Sequence, residues 1–317
     1  MDAITVPSTT IGLDNESLAL LGKYGDWLDK YGYRSTTTRG HSNVARKFMR
    51  HLLRIQRNPD ELTDKDIVQY LNTSEGFSNS TISGTLYSLK IFARFLFETN
   101  VIKTDIVPLF PKGIKYKLAN IVSVWAPGSV EKILAAVDRG SPIGKRDYAI
   151  ILVAARLGLR MTDIFGLRLD SINWRSNRIE TAQSKTGQPI TLPLPEDVGW
   201  AIIDYLKHGR PRVGSPYLFL GHSKAAWGKQ MKGSFDTMLA KYIRQGRVRL
   251  SEGQKHGMHS LRHTLACRLL EAKTPLPVIS EILGQISPDA VEKYLKVDVE
   301  MLRECALNPQ EVFADVN

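Results

Sequence analysis

The sequence predicts a mostly helical protein in two domains, with a small β-hairpin or sheet in the second. Three observations carry this. Apolar residues recur at helical spacing along most of the chain. The period switches to two only near residues 178–194. The 317 residues exceed one ordinary compact domain and suit two.

In the first part, Leu18, Leu21, Tyr24 and Leu28 fall on one face of a helix that begins near Asn15. A second helix is expected over residues 35–56, with Val44, Phe48, Leu52 and Ile55 on its apolar face. Arg46, Arg50, Arg54 and Arg57 share the opposite face, because a helix advances about 100° per residue. On the residues alone, such a stripe fits either a phosphate backbone gripped by guanidinium forks or a solvated helix face. Thr63 is a good N-cap for the next helix. Residues 73–80 read as a loop rich in Ser, Asn and Gly. Ile82, Leu86, Leu89, Phe92, Phe95 and Leu96 then form a wide apolar stripe. Pro108 and Pro111 close a helical domain over 1–111.

Residues 112–127 lack amphipathic periodicity and read as a basic linker carrying Lys112, Lys115 and Lys117. Such a connection fits DNA contact or plain solvation equally. The second domain, 128–317, opens with helices near 129–137 and 145–157. Strands 178–181 and 189–194 flank the turn Ser184-Lys185-Thr186-Gly187-Gln188. Further helices are expected over 197–208, 231–245, 259–272, 277–283, 288–296 and 299–306.

Charge gives the first functional clue. Lys and Arg number 43 against 32 Asp and Glu, a net charge of +11. Residues 1–120 carry 16 basic and 12 acidic side chains, and residues 121–317 carry 27 and 20. Both halves are basic, so the excess is not one tail, and nucleic acid is the economical polyanion. No apolar run is long enough to span a bilayer, and residues 1–13 lack the pattern of a secretory signal. Cys267 and Cys305 make no disulfide framework and fit a reducing compartment.

The phosphate-loop, dinucleotide-fingerprint and Gly-x-Ser-x-Gly patterns are absent from the sequence. His259, His263, Cys267 and Glu271 recur every four residues. Twelve residues of helix span about 18 Å, so the four cannot converge on one ion. No metal or cofactor is therefore expected. A different constellation is more informative. It comprises Gly158-Leu159-Arg160-Met161-Thr162-Asp163, then Lys185-Thr186-Gly187 on the hairpin turn, then His259-Ser260-Leu261-Arg262-His263 at a helix start. Leu283-Gly284-Gln285 follows, with Tyr294 nine residues beyond Gln285.

These boxes, in this order and spacing, resemble the tyrosine recombinase (phage integrase) family over about residues 12–306. The resemblance implies a core-binding domain before residue 112 and an α+β catalytic domain after the linker. It assigns catalytic roles to Arg160, Lys185, His259, Arg262, Gln285 and Tyr294. One position departs from the family pattern: Gln285 stands where His is usual. An amide still donates a hydrogen bond, but it holds no charge and transfers no proton near neutral pH.

The chemistry so implied is complete. Arg160 and Arg262 neutralise charge on the phosphate oxygens. Tyr294 attacks phosphorus, His259 takes the phenol proton and Lys185 protonates the leaving 5′ oxygen. Neither ATP nor a metal is needed. The expectation is a site-specific recombinase or integrase, working through a 3′-phosphotyrosyl intermediate and a Holliday junction. It would act as a homotetramer on double-stranded DNA, with accessory proteins possible. A mobile-element setting in a bacterium is implied, cytoplasmic and nucleoid-associated, away from membranes. The apolar tail with Val312, Phe313 and Val316 is expected to dock on a neighbouring protomer or fold back on its own. Two rival readings stay open: a type IB topoisomerase-like nicking enzyme, and a DNA-binding regulator that has lost catalysis.

Overall fold

The computed structural model describes residues 12–73, 77–110 and 123–284. The chain divides into two compact units, Met1–Lys117 and Leu118–Asn317.

In the first unit, α1 (Asn15–Lys30) starts where the Asp14 carboxylate accepts the Ser17 N–H at 2.7 Å. It buries Ser17, Leu21, Tyr24 and Leu28. Leu18, expected on that face, is 48% exposed. The buried stripe runs through 17, 21, 24 and 28, and the neighbour of Ser17 sits about 100° away. α2 (Ser35–Arg54) packs against α1 and against α4 (Asn79–Glu98). Phe48 and Leu52 meet Leu89, Phe92 and Phe95 in the resulting core. Tyr24 lies edge-on to Phe92 at 5.0 Å between ring centroids. Each large apolar side chain so buried contributes about 1.5–3 kcal/mol. α3 (Asp64–Asn72) begins at Thr63, whose N–H and hydroxyl both donate to Asp66, at 2.8 and 2.6 Å.

The arginine row on α2 is shorter than its sequence spacing indicates. Arg46 and Arg54 are exposed and Arg50 is half-buried. The helix stops at Arg54, and Gln56 takes a left-handed conformation (φ 53°). Arg57 therefore leaves the helical face, and its Nε approaches Asp66 Oδ1 at 3.3 Å. Local turn chemistry and an acidic partner override the extrapolated periodicity. Lys112, Lys115 and Lys117 lie outside the described residues.

In the second unit, Trp125 is a core residue, 2% exposed, although its surroundings read as linker. Its N–H donates to Thr264 Oγ1 at 2.9 Å and its indole N–H to Ser260 Oγ at 2.7 Å. One aromatic held by partners about 140 positions away has no local pattern to betray it. Next come α5 (Ser129–Ala135), α6 (Pro142–Leu157) and the short α7 (Met161–Gly166). α6 is buried all round from Ala149 to Ala154 and packs on α8 (Glu196–His208) and α10 (Met258–Glu271). Within its first two turns, Asp147 Oδ1 accepts from Arg146 and Oδ2 accepts the Tyr242 hydroxyl at 2.7 Å. The expected hairpin is present as β2 (Arg178–Ala182) and β3 (Pro189–Pro193). A two-residue β1 (Ile172–Asn173) joins it, giving an antiparallel sheet in the order β1-β2-β3. α9 (Asp236–Gln245) starts five residues later than its periodicity suggests, after Gly233 at φ 90°. α11 (Leu276–Leu283) ends on left-handed Gly284. The helices expected over 288–296 and 299–306, and the tail after them, lie outside the described residues.

Candidate active site

Four of the six expected catalytic residues can be placed; Gln285 and Tyr294 lie outside the described residues. α6 stops at Gly158, which is left-handed (φ 61°). A Cβ there would meet the Leu265 and Leu283 side chains at 2.9 and 3.0 Å, so the turn requires glycine on two counts. Arg160 follows as the N-cap residue of α7. Its Nη1 donates to Gln183 Oε1 at 3.2 Å and lies 3.9 Å from Asp163 Oδ2.

Arg262 sits one turn into α10 and is only 3% exposed. Its Nη1 donates to the Gly158 carbonyl at 2.7 Å and its Nη2 to the Leu283 carbonyl at 2.5 Å. These carbonyls close α6 and α11, the helix ends that favour a cation. One guanidinium thus ties three helices together. His259 occupies the first turn of α10, its ring edge-on to that of His263 at 4.7 Å between centroids. His259 and Arg160 line one shallow cleft with Leu159, Met161, Asp236 and Met258.

Lys185 is exposed in the loop 183–188 that joins β2 to β3. Ser184 pins that loop to the Arg160 region, and Thr186 closes it on itself. The Ser184 N–H donates to Asp163 Oδ1 at 2.7 Å, and its hydroxyl reaches Thr162 Oγ1 at 2.8 Å. Thr186 Oγ1 donates to Gln183 Oε1 at 3.0 Å. The fold therefore gathers Arg160, Arg262 and the stem of the Lys185 loop, and sets His259 beside Arg160. Two guanidinium groups, a mobile-length ammonium and an imidazole suit an anionic substrate that also needs proton transfer.

Gln183 and Ser184 do not emerge from the motifs, and Asp163 closes the first box there without an assigned role. Gln183 left one signal. It continues the inward phase of β2 set by Ile179, where a polar side chain needs a buried partner. Two tyrosines of this unit are built into the core. Tyr205 and Tyr242 are 0% and 2% exposed. Burial pushes both phenols up, and the Asp147 carboxylate pushes Tyr242 further. Neither hydroxyl is suited to attack an external phosphate.

Residues 125–301 match the model of the phage integrase family. The protein y4rF of Sinorhizobium fredii, which bears the name of an integrase/recombinase, is 30% identical over 96% of this chain and 72% of its own length. The tyrosine recombinase XerD of Listeria innocua is 25% identical over 78% of this chain and 82% of its own. Among solved structures, a lambda integrase dimer bound to a COC' core site superposes with a TM-score of 0.67 at 20% identity, covering 87% of this chain and 94% of that one. A lambda integrase tetramer bound to a Holliday junction gives the same score at 19% identity, over 87% of this chain and 76% of that one. With this fold and these boxes, the chain belongs to the phage integrase family. It is an enzyme of the tyrosine-type site-specific recombinase class, whose general chemistry is the cleavage and rejoining of DNA.

Among the described residues no helix is long and apolar enough to cross a membrane.

Proposed function

We propose that this enzyme exchanges strands between two double-stranded DNA sites, through 3′-phosphotyrosyl intermediates and a Holliday junction, as a homotetramer. The observation that carries the reading is the hydrogen-bonded circuit that holds Arg160 and Arg262 beside the base of the Lys185 loop. The lambda integrase structures that share this fold, a dimer on a core site and a tetramer on a Holliday junction, support the assembly by analogy.

In this reading Arg160 and Arg262 offset charge on the non-bridging oxygens as the fifth ligand reaches phosphorus. The Tyr294 oxygen forms the new P–O bond and the bond to the 5′ oxygen breaks. His259 accepts the phenol proton, and Lys185 gives a proton to the leaving 5′ alkoxide. Gln285 donates an uncharged hydrogen bond to a non-bridging oxygen. The phosphotyrosine keeps the ester bond, so the 5′ hydroxyl of a partner strand reverses the step without ATP. Arg46, Arg50 and Arg54 of α2 and the lysines at 112, 115 and 117 serve as backbone contacts, and Arg57 does so less directly through its pairing with Asp66. A mobile-element role near the bacterial nucleoid, with accessory proteins, completes the proposal.

The test is covalent capture. Nicked DNA carrying the native site is incubated with the enzyme and run on a denaturing gel. The parent forms an adduct and Tyr294→Phe binds DNA without forming one. Adducts that persist and map to Tyr205 or Tyr242 would overturn the assignment. A parent that forms no adduct points to the regulator reading. Adducts without strand transfer between two DNA molecules point to the topoisomerase-like one.

A further inference from the structure

Gln183 stands two residues before Lys185 and is 2% exposed. A buried primary amide must satisfy both its ends. Here Oε1 accepts from Arg160 Nη1 at 3.2 Å and from Thr186 Oγ1 at 3.0 Å, while Nε2 donates to the Leu283 carbonyl at 3.3 Å. The same carbonyl accepts from Arg262 Nη2, and Arg262 Nη1 reaches the carbonyl of Gly158, two residues before Arg160. The bonds close a circuit: Arg160, Gln183, Leu283, Arg262, Gly158 and back along the chain to Arg160.

The amide suits this place because its partners differ. A guanidinium needs an acceptor and a carbonyl needs a donor. A carboxylate would repel the Leu283 oxygen, an ammonium would repel Arg160, and a thioether would satisfy neither. The space is shaped for it as well. A Cβ on Gly284 would lie 1.5 Å from Gln183 Nε2. The glycine of the Leu283-Gly284 box thus leaves room for the amide that joins the other boxes.

We propose that Gln183 is a positioning residue of strand cleavage, which fixes the Arg160 guanidinium relative to Arg262 so that both meet one phosphate. It touches no reacting atom and acts through Arg160. The inference rests on the proposed function above.

The test compares two scissile linkages in the full-length enzyme. One is the natural anionic diester. In the other, a methyl group replaces one non-bridging oxygen, leaving a neutral ground state and one negative charge fewer in the transition state for the guanidinium groups to offset. Single-turnover cleavage of nicked DNA by Gln183→Met should slow by about 10- to 100-fold on the diester, the scale of a small misplacement of a catalytic group. On the methylphosphonate it should change by less than about threefold, since the interaction being disturbed is electrostatic. The dissociation constant for DNA should stay unchanged. Equal slowing on both linkages marks a general structural defect and overturns the proposal, as does unimpaired cleavage of the diester. Gln183→Glu keeps the side-chain volume and serves if Gln183→Met does not fold. Its preference for the diester must also fall, because a carboxylate against Arg160 cancels the charge that linkage needs. If the parent leaves the neutral linkage uncut, the comparison moves to an Arg160→Ala background on the diester, where Gln183→Met must add no further loss. A parent that cleaves neither linkage sinks the functional reading itself; a parent that cleaves while the variant ratios hold sinks only the role of Gln183.

Discussion

Asp163 and Ser184 meet at a single oxygen. Asp163 Oδ1 accepts the Ser184 amide at 2.7 Å and the Ser184 hydroxyl at 2.5 Å, joining α7 to the loop that carries Lys185. Asp163→Ala should therefore loosen that loop and lower single-turnover cleavage by about 10-fold or more, with DNA affinity retained. Asp163→Asn keeps an acceptor and should recover part of the rate. Adduct formation on nicked DNA, measured beside a binding titration, checks both variants.

Lys185 is exposed, on a loop held at its base rather than at its tip. That suits a side chain that must swing to a leaving oxygen. Lys185→Ala should slow cleavage by roughly 10²–10⁴-fold. Sulfur in place of the leaving 5′ oxygen should restore much of the rate, because a thiolate leaves without a proton. Slow cleavage of both substrates would assign Lys185 to DNA placement instead.

Gly284→Ala carries a double penalty, a left-handed backbone (φ 54°) and a clash with the Gln183 amide. Strain of this kind costs about 1–3 kcal/mol before the clash is counted. The variant should melt earlier and cleave poorly. Shortening the obstacle with Gln183→Ala in the same chain removes the clash but not the backbone strain, so it should recover part of the melting temperature but not cleavage, since the amide between Arg160 and Leu283 is then missing. Thermal melts and cleavage assays on the two variants separate these effects.

Acid should weaken the first unit through Asp66. Burial raises its pKa, but hydrogen bonds from Thr63 and the Arg57 guanidinium outweigh burial and hold it below the usual carboxylate range. A group with a depressed folded pKa stabilises above its unfolded value, and that stabilisation is lost as pH falls through the folded one. Asp66→Asn should thus destabilise α3 by about 1–3 kcal/mol near neutrality, where a buried, charge-assisted partner is lost. The difference from the parent should shrink as pH falls below about 4. Urea melts at several pH values measure it.

What the sequence makes legible follows from the range of the signal. The four α-helices among the described residues of the first unit are local patterns, and the stripe from Leu86 to Leu96 is buried where its period places it. The boxes around Arg160, Lys185 and Arg262, far apart in sequence, are linked by hydrogen bonds in space. Features set by distant partners stay hidden. β1 is two residues long, α7 is six, and both are held by neighbours rather than by propensity. Arg57 looked like a fourth member of a row because spacing alone does not register that Gln56 ends the helix or that Asp66 waits nearby. Gln183 hid for the same reason, since its partners at 160 and 283 lie in other boxes.

Trp125 also fixes where this chain can be divided. Composition puts the border after Pro127, yet the indole fills the core of the second unit, and Trp125 braces α10 on either side of Arg262, at Ser260 through its indole N–H and at Thr264 through its backbone N–H. A fragment starting at Gly128 would leave an indole-sized hole under the helix that carries His259 and Arg262, and each hydroxyl would lose a donor. A fragment starting at Ser123 keeps the plug. A cut that keeps α10 braced in this chain therefore lies upstream of the tryptophan. The residue that looks like tether travels with the catalytic half as its keystone.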